Sequence, residues 1–325
     1  MQSIGGNPEV IIREVGPRDG LQILVEVMPT EAKLAWIEAM AAAGIREIEV
    51  ASFVPPRLVP GMADAAEVTT AVRAAHPLVY AVALVPNLRG ARDAVAAGAQ
   101  SIVVPVSASE AHNKANLRRT REAQLSELAQ IVSWTRSLGT AAPKVEAGIA
   151  TAFGCSLQGM VPEYEVVALA GKAVQAGANF VSLADTLGYA SPGQVRRLVR
   201  MVSSEIGPER FGHIHLHDTM GLALANIFAA LEGGARRFDA ALGGMGGCPN
   251  APGAEGNVAT EDLVYLLESE GCRTGVDLYS LLRARELLGH LLPGRALHGH
   301  LAGRDVPPTY RPAVTASAGE REHAK

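Results

Sequence analysis

Two segments of the sequence put metal-ligand and acid/base side chains at the end of an apolar run. One is Gly16-Pro17-Arg18-Asp19-Gly20-Leu21-Gln22, and the other is His213-Ile214-His215-Leu216-His217-Asp218-Thr219. Side chains two apart in a strand point to one face. His213, His215 and His217 therefore share a face, with His215 and His217 nearest the strand's C-terminal end. Two imidazoles at this spacing can hold one divalent cation. Asp19 can add a hard oxygen ligand, and Arg18 can polarise a substrate carbonyl or stabilise an enolate. Glu49 and Ser52 end a second apolar run, Asp185 ends another, and Asn257 follows the last. A carboxylate near the end of a buried strand is costly unless it is paired or ligating. Asp19, Glu49 and Asp185 on one rim thus point to a site. Two histidines, an aspartate and an asparagine carbonyl make a mixed N/O ligand set. Mg²⁺ or Mn²⁺ suits it, and Zn²⁺ or Co²⁺ can substitute. In Gly243-Gly244-Met245-Gly246-Gly247-Cys248-Pro249 a cysteine sits in a glycine-rich loop. Cys248 there suits proton transfer or redox sensing better than ligation. Cys155 and Cys272 read as small buried hydrophobes.

The elements that must position these groups alternate along the chain. Short Val/Ile-rich runs at 10–15, 47–52, 79–85, 101–106, 145–150, 180–184, 213–217 and 239–243 read as strands buried on both faces. Helical patterns lie between them at 30–43, 63–75, 88–97, 122–138, 163–176, 192–206, 222–231 and 260–271. Thr30 and Ser191 are expected as N-caps, the latter before Pro192. Gly44, Gly98, Gly177 and Gly234 are expected to close helices. Eight strand–helix units favour a (β/α)₈ TIM barrel, whose active sites lie at the C-terminal ends of the strands. The glycine phosphate-loop signatures of open sheets are absent. An additional C-terminal helix is expected over 277–292. Residues 1–302 form one barrel domain with this extension, and 303–325, without apolar periodicity, is expected to be a disordered tail.

Composition narrows the function. The chain has 325 residues, 48% of them hydrophobic, enough for one large core. A net charge of −4 and 4% aromatic residues argue against a nucleic-acid partner. No run of 18 apolar residues appears, so no membrane span is expected. Three cysteines do not make a disulfide framework, and no targeting peptide is seen, so a cytoplasmic protein is expected.

On these motifs the chain resembles 3-hydroxy-3-methylglutaryl-CoA lyases of the DRE-TIM metallolyase superfamily from about residue 10 to residue 292. Ser52-Phe53-Val54, Pro60-Gly61-Met62-Ala63-Asp64 and Gly256-Asn257-Val258-Ala259-Thr260-Glu261-Asp262 add to the resemblance. Gly246-Gly247-Cys248-Pro249 separates the lyases from the related condensing synthases, as do Leu21 and His217-Asp218-Thr219. The resemblance implies retro-Claisen cleavage of a 3-hydroxyacyl-CoA thioester. It implies Asp19, His215, His217 and Asn257 as ligands of a divalent cation, with His215 also taking part in catalysis. Arg18 would stabilise the enolate of the leaving acetyl-CoA, Cys248 would supply or relay a proton, and Glu49 and Asp185 would assist proton transfer. Arg18, Gln22, Ser52, Asn116 and Gly148 would contact substrate, with Asn116 near the thioester. A homodimer is expected by the same resemblance, the apolar helix at 278–292 covering the partner.

There are departures. Relatives continue the first motif as Gln-Asn-Glu-Lys, where this chain has Ile23-Leu24-Val25. In the fifth strand they carry Arg and Tyr, where this chain has Glu146 and Gly148. A roomier and less polar acyl pocket is expected. Readings left open are the methylglutaryl thioester, a longer branched or citramalyl-CoA-like thioester, a condensing synthase and a non-catalytic barrel. Intact Asp19, His215, His217 and Cys248 argue against the last.

Overall fold

Alternation within each strand decides the architecture. In β5 (Lys144–Ala150), Val145, Ala147 and Ile149 are buried against helices, while Glu146, Gly148 and Ala150 border an internal cavity. The same alternation holds around a computed structural model that describes residues 9–247, 256–301 and 303–313. The other strands are β1 (Ile11–Glu14), β2 (Glu47–Ser52), β3 (Tyr80–Leu84), β4 (Ser101–Ser107), β6 (Phe180–Asp185), β7 (Phe211–Leu216) and β8 (Arg237–Ala240). They pair in parallel, in sequence order, and β8 pairs with β1 to close the barrel.

The helices that cover the barrel are α1 (Thr30–Ala42), α2 (Ala65–Ala75), α3 (Leu88–Ala96), α4 (Glu110–Leu117), α5 (Arg121–Arg136), α6 (Glu163–Gln175), α7 (Pro192–Ile206), α8 (Ala223–Gly233) and α9 (Thr260–Ser269). The expected (β/α)₈ barrel is what the chain forms. Gly44, Gly98, Gly177 and Gly234 all have positive φ just past their helices, the backbone state a side chain disfavours. Ser191 is the N-cap of α7 with Pro192 as its first residue. Thr30 is instead the first residue of α1, and Pro29 occupies the cap. Its hydroxyl donates to Asp64 at 2.8 Å, so a tertiary partner replaced the local one.

Two features depart from the sequence reading. Helix α4 was not expected. Ser109 caps its N-terminus, its Oγ accepting from the His112 N–H at 3.1 Å. The first part of the expected tail, residues 303–313, is the second; residues 314–325 lie outside the described residues. Tyr310 is buried and stacks on Tyr265 with ring centroids 5.6 Å apart, and the Ala313 N–H donates to Glu268. Residues 303–313 therefore pack on α9, because one ring can anchor a stretch that has no periodic pattern. Helix α10 (Leu278–Leu291) buries Leu278, Leu281, Ala284 and Leu288 within its own chain, in contact with α1 and α9. Its apolar face is thus already used, which removes the reason for expecting it to cover a partner.

Candidate active site

The Arg-Asp motif lies on one wide helical turn, Gly16–Gly20, directly after β1. Turns of this kind recur at functional sites because they re-aim side chains. The Arg18 Nε donates to Glu49 Oε2 at 2.7 Å, its Nη2 lies 2.6 Å from the same oxygen, and its Nη1 donates to Asp19 Oδ1 at 2.5 Å. The β2–β3 ladder shifts register between Glu49 and Ala51, a bulge beside Glu49. Burial acts against the Arg18 charge, but Glu49 and Asp19 outweigh it and raise its pKa. Burial pushes Asp19 up, yet Arg18, His215 and His217 hold it below its usual value. Glu49 is raised by burial despite Arg18, and its Oε1 is buried without a hydrogen-bond partner.

On β7 and just past it, the Nε2 atoms of His215 and His217 face each other at 3.1 Å, and Asp19 Oδ2 lies 3.9 Å from His217 Nε2. Candidate ligand atoms of Asp19, His215 and His217 all fall within 4.8 Å of one another. Asp239 on β8 lies 3.1 Å from His215 Nδ1. With Nδ1–H donated to that carboxylate, Nε2 turns a lone pair to the cluster, the usual outer support of a ligating histidine. Asn257 completes the convergence: its Nδ2 donates to Asp19 Oδ2 at 2.7 Å, and its Oδ1 is buried with no partner. Exchanging its amide ends would set two oxygens face to face, an arrangement that a cation between them favours. Gly246 has φ +123, and a Cβ there would strike the Asn257 amide and lie 3.1 Å from Asp19 Oδ2. The donor set therefore fits a divalent cation.

His213 does not join the cluster. It is fully buried one step lower in the barrel, 3.5 Å from Glu47 and 3.7 Å from Glu146. At that level Arg13 forms the floor. Its Nε donates to Asp239 Oδ1 at 2.8 Å, and its Nη1 and Nη2 donate to the two Glu146 oxygens at 3.0 Å each. Ser182 also donates to Glu146. Burial pushes Glu146 and Asp239 up, but Arg13 above all holds both well below the usual carboxylate range. Arg13 and Asp239 were missed as site residues by sequence reasoning. The available signal was a charge inside an otherwise apolar strand, which must be paired.

The cavity above this floor measures about 530 Å³. Arg18, Asp19, Gln22, Glu49, Asn116, Gly148, His215 and His217 all line it. Asn116, on the last turn of α4, stands at the exposed mouth with Arg57, Arg118 and Arg119. Ile23 lines the cavity, whereas Val25 is exposed and Leu24 packs on the core. Only the first residue of that departure can thus act on the pocket. Ser52 and Asp185 do not line it. Ser52 is buried, and Asp185 accepts the Tyr189 and Ala190 N–H groups at 3.0 and 2.9 Å, holding the turn after β6. Cys248 lies outside the described residues; Gly247 before it borders the cavity. No helix among the described residues is long and apolar enough to cross a membrane.

Comparison with known proteins agrees with this geometry. The family model described as HMGL-like matches residues 9–288. The cytoplasmic 3-hydroxy-3-methylglutaryl-CoA lyase of Rattus norvegicus is 41% identical over 286 residues, 88% of this chain and 82% of the relative. The (R)-citramalyl-CoA lyase of Chloroflexus aurantiacus is 41% identical over 307 residues, covering 92% and 95%. Among solved structures, an HMG-CoA lyase from Acinetobacter baumannii in complex with coenzyme A and 3-methylmalate superposes with a TM-score of 0.87. It is 40% identical, and the match covers 96% of this chain and all of that one. The chain belongs to the HMGL-like family of carbon–carbon lyases.

Proposed function

We propose that the protein cleaves a 3-hydroxyacyl-CoA thioester of the 3-hydroxy-3-methylglutaryl type between C2 and C3. The products are acetyl-CoA and a keto acid, acetoacetate for the parent substrate. The observation that carries this reading is the convergence of Asp19, His215 and His217 within 4.8 Å, beside the Arg18–Glu49 pair. Asp19, His215, His217 and Asn257 would hold Mg²⁺ or Mn²⁺, which as a Lewis acid makes the C3 hydroxyl more acidic. The buried Glu49 Oε1, without a hydrogen-bond partner, would take the hydroxyl proton. As the C2–C3 bond breaks, its electron pair moves onto the thioester to form an enolate. Three of the five Arg18 N–H groups are engaged by Glu49 and Asp19, which leaves two for the enolate oxygen. Cys248 would return a proton to C2. Arg57, Arg118 and Arg119 at the mouth offer cations to the CoA phosphates.

A second reading comes from the (R)-citramalyl-CoA lyase, which matches at the same 41% identity as the rat enzyme. The match to the citramalyl-CoA lyase covers more of both chains than the match to the rat enzyme. Cleavage of that thioester would release a 2-oxo acid. Metal-loaded enzyme with a panel of tertiary 3-hydroxyacyl-CoA thioesters tests both readings. We expect acetyl-CoA release, and the identity of the keto acid separates the two. No acetyl-CoA from any member would overturn the lyase reading. We also infer a cytoplasmic homodimer. The reduced, buried Cys155 and Cys272 and the cytoplasmic rat relative support the location, and size-exclusion chromatography with light scattering tests the dimer.

A further inference from the structure

We propose that the physiological thioester carries at C3 an uncharged apolar branch longer than methyl, which lies against Gly148. This inference rests on the lyase reading above. Three independent observations lead to it.

The first is space. A Cβ built on Gly148 meets only Val103 Cγ1, at 3.1 Å, and otherwise faces the cavity. The second is the character of the wall around it. Leu84, Val103, Pro105, Ala150 and Ala184 border the cavity from β3 to β6, an apolar surface above Glu146, with His112 of α4 a further ionisable group on this side. The third is the floor below. A carboxylate laid over Gly148 would approach the carboxyl groups of Glu146 and Asp239, with Arg13 as the nearest counter-charge. Four of the five Arg13 N–H groups are already engaged by Asp239 and Glu146, and Nη1 also lies 3.8 Å from Glu47. A second anionic arm would thus compete with Glu47, Glu146 and Asp239 for the one remaining Arg13 N–H. An apolar arm loses nothing to the floor and removes its surface from water against the wall. Each methylene so buried is worth about a fourfold gain in binding.

The test uses three 3-hydroxyglutaryl-CoA thioesters that differ only in the C3 branch: methyl, n-butyl and carboxymethyl. With metal-loaded wild type, kcat/KM for the butyl compound should exceed that for the methyl compound about tenfold or more, and the carboxymethyl compound should be the poorest. Gly148→Leu should lower the butyl-to-methyl ratio at least about tenfold, since it fills the space the branch needs. Gly148→Ala, a smaller change in case the leucine variant does not fold, should lower it in the same direction. Calorimetric binding of the 3-deoxy analogues, which cannot be cleaved, reads the pocket apart from turnover. If no thioester is cleaved but the butyl analogue binds tighter and Gly148→Ala removes that advantage, the lyase reading falls and the pocket stands. Preference for the methyl analogue, or a ratio unmoved by both Gly148 variants, overturns the pocket.

Discussion

The two sides of the cavity differ in kind. From β7 through β8 and β1 to β2, the wall is built of Arg18, Asp19, Glu49, His215, His217 and Asp239, each touching at least one of the others. From β3 to β6 it is built mainly of Leu84, Val103, Pro105, Gly148, Ala150 and Ala184, with Glu146 and Ser182 at its foot. On the charged side, every group is held by a partner whose own position is held in turn. Moving one therefore changes the charge and geometry of the next. On the apolar side, contacts are dispersive and short-ranged, and each substitution acts where it stands. Rate and metal retention should thus depend on the first wall, and choice of thioester on the second.

The largest effect should come from His215→Ala. It removes a proposed ligand and leaves Asp239 facing a void, so the purified protein should lose most of its divalent metal together with turnover. Unchanged metal stoichiometry by elemental analysis would remove His215 from the ligand set. Arg18→Lys comes next. An ammonium cannot span Glu49, Asp19 and an enolate at once as a planar guanidinium does. Metal and fold should persist, while kcat falls by about 10²–10³, as when one preorganised oxyanion donor is lost. Turnover near wild type would end the role given to Arg18. Asp239→Asn should act on metal rather than on chemistry. It weakens the support of His215 Nδ1, and loss of such an outer partner lowers metal affinity by about 10–100-fold. A Mn²⁺ titration followed by electron paramagnetic resonance reads this directly, and an unchanged affinity would break the link from Arg13 through Asp239 to the cluster.

The same contrast explains what could be read before folding. Most of the charged wall was legible because Arg18, Asp19, His215 and His217 fall in two short motifs, whereas Asp239 was not. Strand order then brings β1 and β7 to either side of β8. His213 was grouped with His215 and His217 because strand period places them on one face. Period says nothing of depth, and one step down the barrel His213 meets Glu47 and Glu146 instead. The Arg13–Glu146 pair joins residues 133 apart. Only the closed barrel with its register brings them together, so neither residue alone announced the other. Gly148 was legible as a departure, but whether its missing side chain opens space depended on Val103 being its only near neighbour. Helix α4 escaped notice because its eight residues hold little apolar pattern, and its first turn depends on the Ser109 cap.

The smallest effect on turnover, and the clearest on stability, is expected of Glu14→Gln. Glu14 is fully buried behind the charged wall. Its Oε1 accepts the Gly16 and Leu242 N–H groups at 2.9 Å each, and its Oε2 accepts the Thr260 hydroxyl at 2.7 Å. It thereby ties the turn holding Arg18 and Asp19 to the loop after β8 and to α9. Burial pushes its carboxyl up from 4.5 to about 7. The folded state thus holds a proton that the unfolded chain gives up more readily. Below about pH 4.5 the carboxyl is protonated in both states, and the full stability is present. As pH rises toward about 7 the unfolded state loses its proton first, and stability falls, by on the order of 3 kcal/mol for this group alone. Glutamine keeps the oxygen for both backbone donors, and its amide can donate to Thr260 Oγ1. Glu261, also pushed up to about 7 by burial, titrates in both proteins and largely drops out of their difference. Urea unfolding at pH 5 and pH 8 should therefore show the glutamine variant gaining on wild type at the higher pH, with kcat little changed. A stability difference that stays constant between the two pH values would mean that Glu14 is ionised in the fold. The strut would then be charged, and the charged wall would carry no such pH-dependent cost.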